Sequence, residues 1–290
     1  MTRPTVSVIV PFAGAEAELE RLVGDLQRLR LRPGDEVIVA DNRRRSGRAS
    51  CGARGRVRVC TADGVRSPGY ARNRGAAATE GEWLVFIDAD TTPACSLVED
   101  YFEPAPGRQS AVLAGAIVDR AEQASLVARY SVARGHMSQD TTLGRPHHAY
   151  AQSANCAVRR AAFVAVGGFD ERLRAGEDAD LCFRLVRAGW RLEPRPQAAV
   201  AHRSRETLLG LVGQLLRHGS GAAWLRRRYP GSFPRPSARA LVGRIARSGY
   251  DVLGALARGQ PQAAGFALLD LVSACAFEFG RLVPNRARRH

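Results

Sequence analysis

Four places in this chain hold residues that could do chemistry. Asp88 and Asp90 follow five large apolar residues, Trp83-Leu84-Val85-Phe86-Ile87. Such a run reads as a strand buried on both faces, with the two acids at its carboxyl end. Ligands of open α/β sheets bind beyond that end. Two Asp residues one apart can share a hard divalent cation through oxygen. The same doublet also suits a helix N-cap or an Asx-turn. Glu177, Asp178 and Asp180 open a predicted amphipathic helix marked by Leu181, Leu185 and Val186. Acids there complement the helix dipole. Three so close also repel, which raises the pKa of one and suits it to act as a general base. Asp41 closes the apolar run Glu36–Ala40. His202 closes Ala198–His202, as a structural residue or a metal ligand.

The elements that must position these residues follow an α/β rhythm. Thr5–Pro11 is a strand stopped by Pro11, and Leu19, Leu22, Val23, Leu26 and Leu29 mark a helix. A second strand runs to Ala40, an Arg-, Gly- and Ser-rich loop to about Gly55, and a short strand from Arg56 to Cys60. Ser67-Pro68-Gly69 breaks the chain before an alanine-rich helix, whose N-terminus with Arg72 could attract an anion. Ala111–Val118 reads as a strand, Ala121–Arg134 as a helix and His136–Gln152 as a polar loop. Ala154–Val158 reads as extended, and Trp190–Glu193 and Ala198–His202 as two strands. The expectation is a mostly parallel sheet flanked by helices over residues 1–203. Beyond it lie an apolar helix from Leu208, a linker with Pro230, Pro234 and Pro236, and helices at Ala238–Ala257 and Pro261–Val283. Residues 204–290 are thus expected to form a helical extension.

Composition narrows the partners. All 43 basic residues are arginine, and the net charge is +15. That charge favours anionic ligands such as nucleoside diphosphates or lipid head groups. No paired-cysteine zinc pattern or RNP-like motif points to nucleic acid. There is no Gly-x-Gly-x-x-Gly after the first strand, and no lysine to serve a Walker loop. The six cysteines are scattered, so free thiols in a reducing, cytoplasmic setting are expected. No charge-free stretch of about 20 residues marks a clear membrane span. The last helices and their arginines could pack on the core or lie peripherally on an anionic membrane.

The motifs, taken in order, resemble the family 2 glycosyltransferases of the GT-A fold. They are Val8-Ile9-Val10-Pro11, Val39-Ala40-Asp41-Asn42, Gly69-Tyr70-Ala71-Arg72-Asn73-Arg74-Gly75, Phe86-Ile87-Asp88-Ala89-Asp90, Gly167-Gly168-Phe169-Asp170-Glu171 and Gly176-Glu177-Asp178-Ala179-Asp180-Leu181. The stretch from Asp178 to Arg217-His218-Gly219-Ser220 is also similar to bacterial mycofactocin-type glycosyltransferases. The resemblance implies a nucleotide-sugar donor, a UDP-sugar before a GDP-sugar, and a Mn2+ or Mg2+ cofactor. Pro11, Asp41, Arg72, Asn73 and Asp88 would bind the donor. Asp90, Asp88 and His202 would hold the metal. Asp178 would be the general base of an inverting transfer to a hydroxyl acceptor. Gly168, Glu177 and Asp180 would lie on the acceptor side.

Two rival readings differ in class. Asp88-Ala89-Asp90-Thr91-Thr92 also fits the nucleophile motif of haloacid-dehalogenase-like phosphatases, with Asp88 attacking phosphorus. That motif usually sits on a first strand with a later lysine, and neither holds here. The other rival is a non-catalytic nucleotide- or lipid-binding protein. The full acidic set Asp41, Asp88, Asp90 and Asp178 argues against it.

Overall fold

The structure, a computed structural model, describes residues 3–44, 50–120 and 125–290. In chain order the elements are β1 (Val6–Phe12), α1 (Glu16–Gln27), β2 (Glu36–Asp41), β3 (Cys51–Arg54), β4 (Val57–Thr61), β5 (Val65–Arg66) and α2 (Pro68–Ala77). Then come β6 (Trp83–Ile87), β7 (Thr91–Pro93), α3 (Leu97–Tyr101), β8 (Ser110–Arg120), α4 (Leu126–Arg134), α5 (Gln139–Leu143), β9 (Asn155–Arg159) and α6 (Arg160–Ala165). The chain ends with α7 (Glu177–Arg187), β10 (Arg191–Arg203), α8 (Leu208–Arg228), α9 (Ala238–Ala257), α10 (Pro261–Gly280) and β11 (Arg288–Arg289). It forms two compact units, one of Met1–Val118, Met137–His202 and Arg286–His290, the other of Asp119–His136 and Arg203–Asn285.

The first unit is built on a nine-stranded sheet in the order β3-β4-β2-β1-β6-β9-β8-β10-β7. Side chains alternate between its faces, as the pleat demands. Val6, Val8 and Val10 of β1 join Trp83, Val85 and Ile87 of β6 in one core, and Ile9, Leu84 and Phe86 join the other. Both faces are dry, which is why β6 reads as an unbroken apolar run.

The sheet is mixed where the sequence points to mostly parallel pairing. β4, β2, β1 and β6 are parallel neighbours. β9 then runs antiparallel to β6 and to β8, and β3 antiparallel to β4. The strands expected at Trp190–Glu193 and Ala198–His202 are one strand, β10, which begins at Arg191 and continues through the residues between them. The segment read as a loop to Gly55 contains β3, and the polar loop after His136 contains α5. Both elements are too short or too polar to leave a periodic signal. Cys51 and Cys60 are paired in a disulfide, so the expectation of free thiols fails for these two. They are direct partners in the β3–β4 register, a contact invisible without β3. Cys156 and Cys182 are free and buried, and Cys95 and Cys275 free and exposed.

One buried amide ties the antiparallel half together. Asn155 has no exposed surface. Its Nδ2 donates to the carbonyls of Ala116 and Ala198, at 2.8 and 2.7 Å. Its Oδ1 accepts from the Tyr101 hydroxyl at 2.7 Å.

In the second unit α10 packs against α8, α9 and α4. The helix expected at Ala121–Arg134 is observed from Leu126, with 121–124 outside the described residues, and α4 belongs to this unit. Arg134 and the Tyr130 hydroxyl both bind Asp270 in the middle of α10. Gly219 and Gly280 let α8 and α10 touch backbone to backbone. A methyl group on Gly219 would overlap the Phe277 carbonyl, and one on Gly280 the Leu216 carbonyl.

Asn155→Ala leaves a buried hydroxyl and two buried carbonyls without that partner. The expected loss is about 2–4 kcal/mol of folding stability, measured by urea titration.

Candidate active site

The sheet delivers Asp88 and Asp90 at the end of β6, as its apolar run requires. A tight turn follows: the Asp88 carbonyl accepts from the Thr91 N–H at 3.1 Å and the Thr91 hydroxyl at 2.7 Å. That turn starts β7, which pairs with β10 so that Thr91 faces His202. The register therefore brings a residue more than 100 positions away beside Asp90. His202 Nε2 lies 3.7 Å from Asp90 Oδ2, with the imidazole buried and the carboxylate partly open.

Arg72 makes the central contact. It lies on α2, whose first turn holds Pro68 and is capped by the Ser67 hydroxyl. Gly69 abuts Phe169 and Glu177, and Gly75 abuts Ile9 of the sheet. The motif glycines thus bring α2 close enough for Arg72, only 3% exposed, to reach two carboxylates. Nη2 binds Asp88 Oδ1 at 2.6 Å, and Nη1 binds Glu177 Oε1 at 2.8 Å. The guanidinium also lies over the Phe169 ring, 5.5 Å from its centroid. Its charge is locked: burial disfavours it, but Asp88 and Glu177 outweigh that and hold the pKa above the usual arginine value. The fork joins the tip of β6 to the start of α7.

Asp178 follows Glu177 at that junction. Its carboxylate accepts from the Ala179 N–H at 2.8 Å and from the backbone of Ser153. Loss of solvent, and then the negative charge of Glu177, push its pKa up to about 7. Arg72 and the two backbone bonds pull the other way without cancelling this. The carboxylates of α7 thus differ sharply: Glu177 is bound by Arg72, and Asp180 is buried on Arg184 at 2.8 Å. Arg184 in turn donates to the carbonyls of Val166 and Gly168. Glu177 and Asp180 are both buried, each against an arginine.

Other expected residues fall in two groups. Pro11 lies within β1, which continues one residue past it, and pairs with Ala40 beside Asp41. Asp41 is almost wholly buried, and both its oxygens receive the Arg43 guanidinium at 2.8 Å. Asn73 lies next to Arg72 in sequence but points elsewhere. It accepts from the Phe169 N–H and donates to the Phe169 carbonyl and to Glu171, all at 2.9 Å. Gly168 sits in that same turn at φ 68°, where a side chain would strike Asn73 and Phe163. Asn73 and Gly168 therefore build the turn that carries Phe169. Ser153 and Tyr150 escaped the sequence reading. Burial, and then the nearby Asp178 charge, raise the Tyr150 hydroxyl pKa above the usual tyrosine value. Nothing in a polar loop's spacing singles these residues out.

Among the described residues no cluster of three or more His, Cys, Asp or Glu side chains is arranged to hold a metal. Among the described residues, Asp90 and His202 lie side by side as candidate donors for a hard cation, and Asp88 is bound by Arg72. An imidazole and a carboxylate fit Mn2+ or Mg2+ when a substrate's phosphates complete the shell.

The model of the family described as glycosyltransferase-like family 2 matches residues 4–221. The chain belongs to the family 2 glycosyltransferases. A pre-mycofactocin glycosyltransferase of Mycobacterium tuberculosis is 35% identical over 236 residues, covering 78% of this chain and 48% of that protein. Succinoglycan biosynthesis protein ExoA of Rhizobium meliloti is 28% identical over 235 residues, 77% of this chain and 70% of ExoA. The chain spans about half the length of the mycobacterial relative. Among solved structures, a mannosyltransferase from Pyrobaculum calidifontis in complex with GDP-Man and Mn2+ superposes with a TM-score of 0.55 at 17% identity, covering 95% of this chain and 76% of that one. GalNAc-T7 with UDP, GalNAc and Mn2+ gives 0.51 at 17% identity, covering 70% and 43%. At that identity they show the fold, which is GT-A. Membership of this family displaces the phosphatase reading of Asp88.

Arg72→Ala strands Glu177 as a buried charge without a guanidinium, which costs about 3–5 kcal/mol by analogy with broken buried pairs. Arg72→Lys should recover only part of it, because an ammonium lacks the planar fork. Paired urea titrations measure both.

Proposed function

We propose that this glycosyltransferase moves a sugar from a nucleoside-diphosphate sugar to an acceptor hydroxyl, with inversion and with a divalent cation. The observation that carries the reading is the Arg72 fork. It ties the acids at the tip of β6, suited to a cation-bound diphosphate, to the start of α7, where Asp178 holds an elevated pKa. Both neighbouring structures are complexes with Mn2+, which supports a divalent ion here.

The roles follow from the side chains. Asp90 and His202 would hold Mn2+ or Mg2+, and the ion supplies Lewis-acid neutralisation of the departing diphosphate. Arg72 keeps Asp88 oriented and balances its charge. Asp178 takes the proton of the acceptor hydroxyl, whose oxygen attacks the anomeric carbon on the face opposite the diphosphate. Asp41 and Pro11 would border the nucleoside, and a base reaching Asp41 would displace the Arg43 guanidinium. The donor carries UDP in preference to GDP. The compartment we propose is the cytoplasm. The buried thiols of Cys156 and Cys182 suit it, and the Cys51–Cys60 bridge has one exposed partner open to reductants.

Donor hydrolysis with Mn2+ or Mg2+ tests the assignment. Asp178→Asn should fall by about 10²–10⁴-fold, the usual contribution of a general base. Asp90→Ala with His202→Ala should raise the Mn2+ concentration needed for half-maximal rate. Equal, metal-independent rates in wild type and variants would reject the mechanism.

The pH profile follows from Asp178. The base works only when ionised, so kcat/KM should rise through about pH 7 and level off above it. Glu177→Gln removes the neighbouring negative charge, and the rising limb should move to lower pH. Stability runs the other way. The folded state holds the Asp178 proton after the unfolded chain has released it, so this group's contribution is lost as pH climbs from about 4 to about 7.

A further inference from the structure

We infer that the α9–α10 hairpin of the second unit is an interfacial element that rests on an anionic lipid bilayer. On α9, Val242, Ile245, Gly249, Leu253 and Leu256 follow one another at steps of three, four, four and three. That spacing puts them on one face of the helix. The face is open: Val242 is 65% exposed, Leu253 69% and Leu256 57%. The exposed Tyr250 flanks it. On α10 and just beyond it, Leu268, Cys275, Phe279 and Leu282 repeat the pattern at steps of seven, four and three, all exposed. Single exposed leucines need no explanation, but two continuous apolar stripes on packed neighbours do.

Charge selects the occupant. The second unit holds fifteen arginines against six acidic residues. Exposed Arg244, Arg247 and Arg258 line the side of α9 away from its apolar stripe. A second copy would bring the same excess of positive charge and be repelled, whereas an anionic leaflet attracts it. An apolar face backed by an arginine-bearing polar face is the composition of a helix lying in the plane of a membrane.

α10 is also long and apolar enough to cross a bilayer. Its packing argues otherwise. Asp270 sits in its middle, engaged by Arg134 and Tyr130, and its Gly280 end touches the α8 backbone. Spanning would break these contacts and carry Asp270 into hydrocarbon. The helix lies on the surface.

Co-sedimentation of the full chain with lipid vesicles tests this. Binding to equimolar phosphatidylcholine and phosphatidylglycerol at low salt should exceed binding to phosphatidylcholine alone by about tenfold or more, and should weaken as salt rises. The double variant Leu253→Asp, Leu256→Asp should lose about tenfold of that binding, with its thermal unfolding and donor hydrolysis unchanged. Binding that is absent, or equal in wild type and variant, overturns the inference. So does a concentration-dependent dimer in gel filtration that the double variant abolishes. Donor hydrolysis is measured separately, so failure here leaves the catalytic proposal standing, and the reverse.

Discussion

A buried guanidinium between two carboxylates is the constraint on which the rest of the site depends. Arg72 takes a full positive charge out of water, a step that costs several kcal/mol unless it is compensated. Asp88 and Glu177 compensate it, and they come from elements far apart in the chain. The fork geometry has directional bonds to both, so the strand tip and the helix start are fixed to each other by one side chain. α2 must lie flat against the sheet for this to happen. The two glycines of its motif supply that closeness, one toward the Phe169 turn and one toward Ile9.

The same contact sorts the acids of α7. Three carboxylates in one helical turn would repel if all were free. Glu177 is paired with Arg72 and Asp180 with Arg184, which leaves Asp178 with two backbone donors and little solvent. Loss of solvent raises its pKa first, and the Glu177 charge, which Arg72 does not cancel, raises it further.

Much of this was legible in the residues. The apolar run Trp83–Ile87 announced a strand buried on both faces, and its acids had to emerge at the tip. The crowding of Glu177, Asp178 and Asp180 announced one raised pKa. What could not be read was direction. Asn73 and Arg72 are neighbours in a motif, yet one enters the acid cluster and the other braces the Phe169 turn. A one-residue step on a helix turns the side chain by about 100°, and only packing says which face meets which neighbour. The disulfide was hidden because β3 carries no alternation. Ser153 acts through its backbone, so its side-chain type holds no signal.

The pairing of β7 with β10 puts Thr91 opposite His202, and alternation along the pleat then sets which way the imidazole turns. Strands count in twos. Removing or adding one residue in the stretch of β10 before His202, without a bulge to absorb it, would send that ring to the far side of the sheet. Insertions in the helices and loops between the two strands leave this parity untouched, so the constraint falls on the paired stretch of β10 alone.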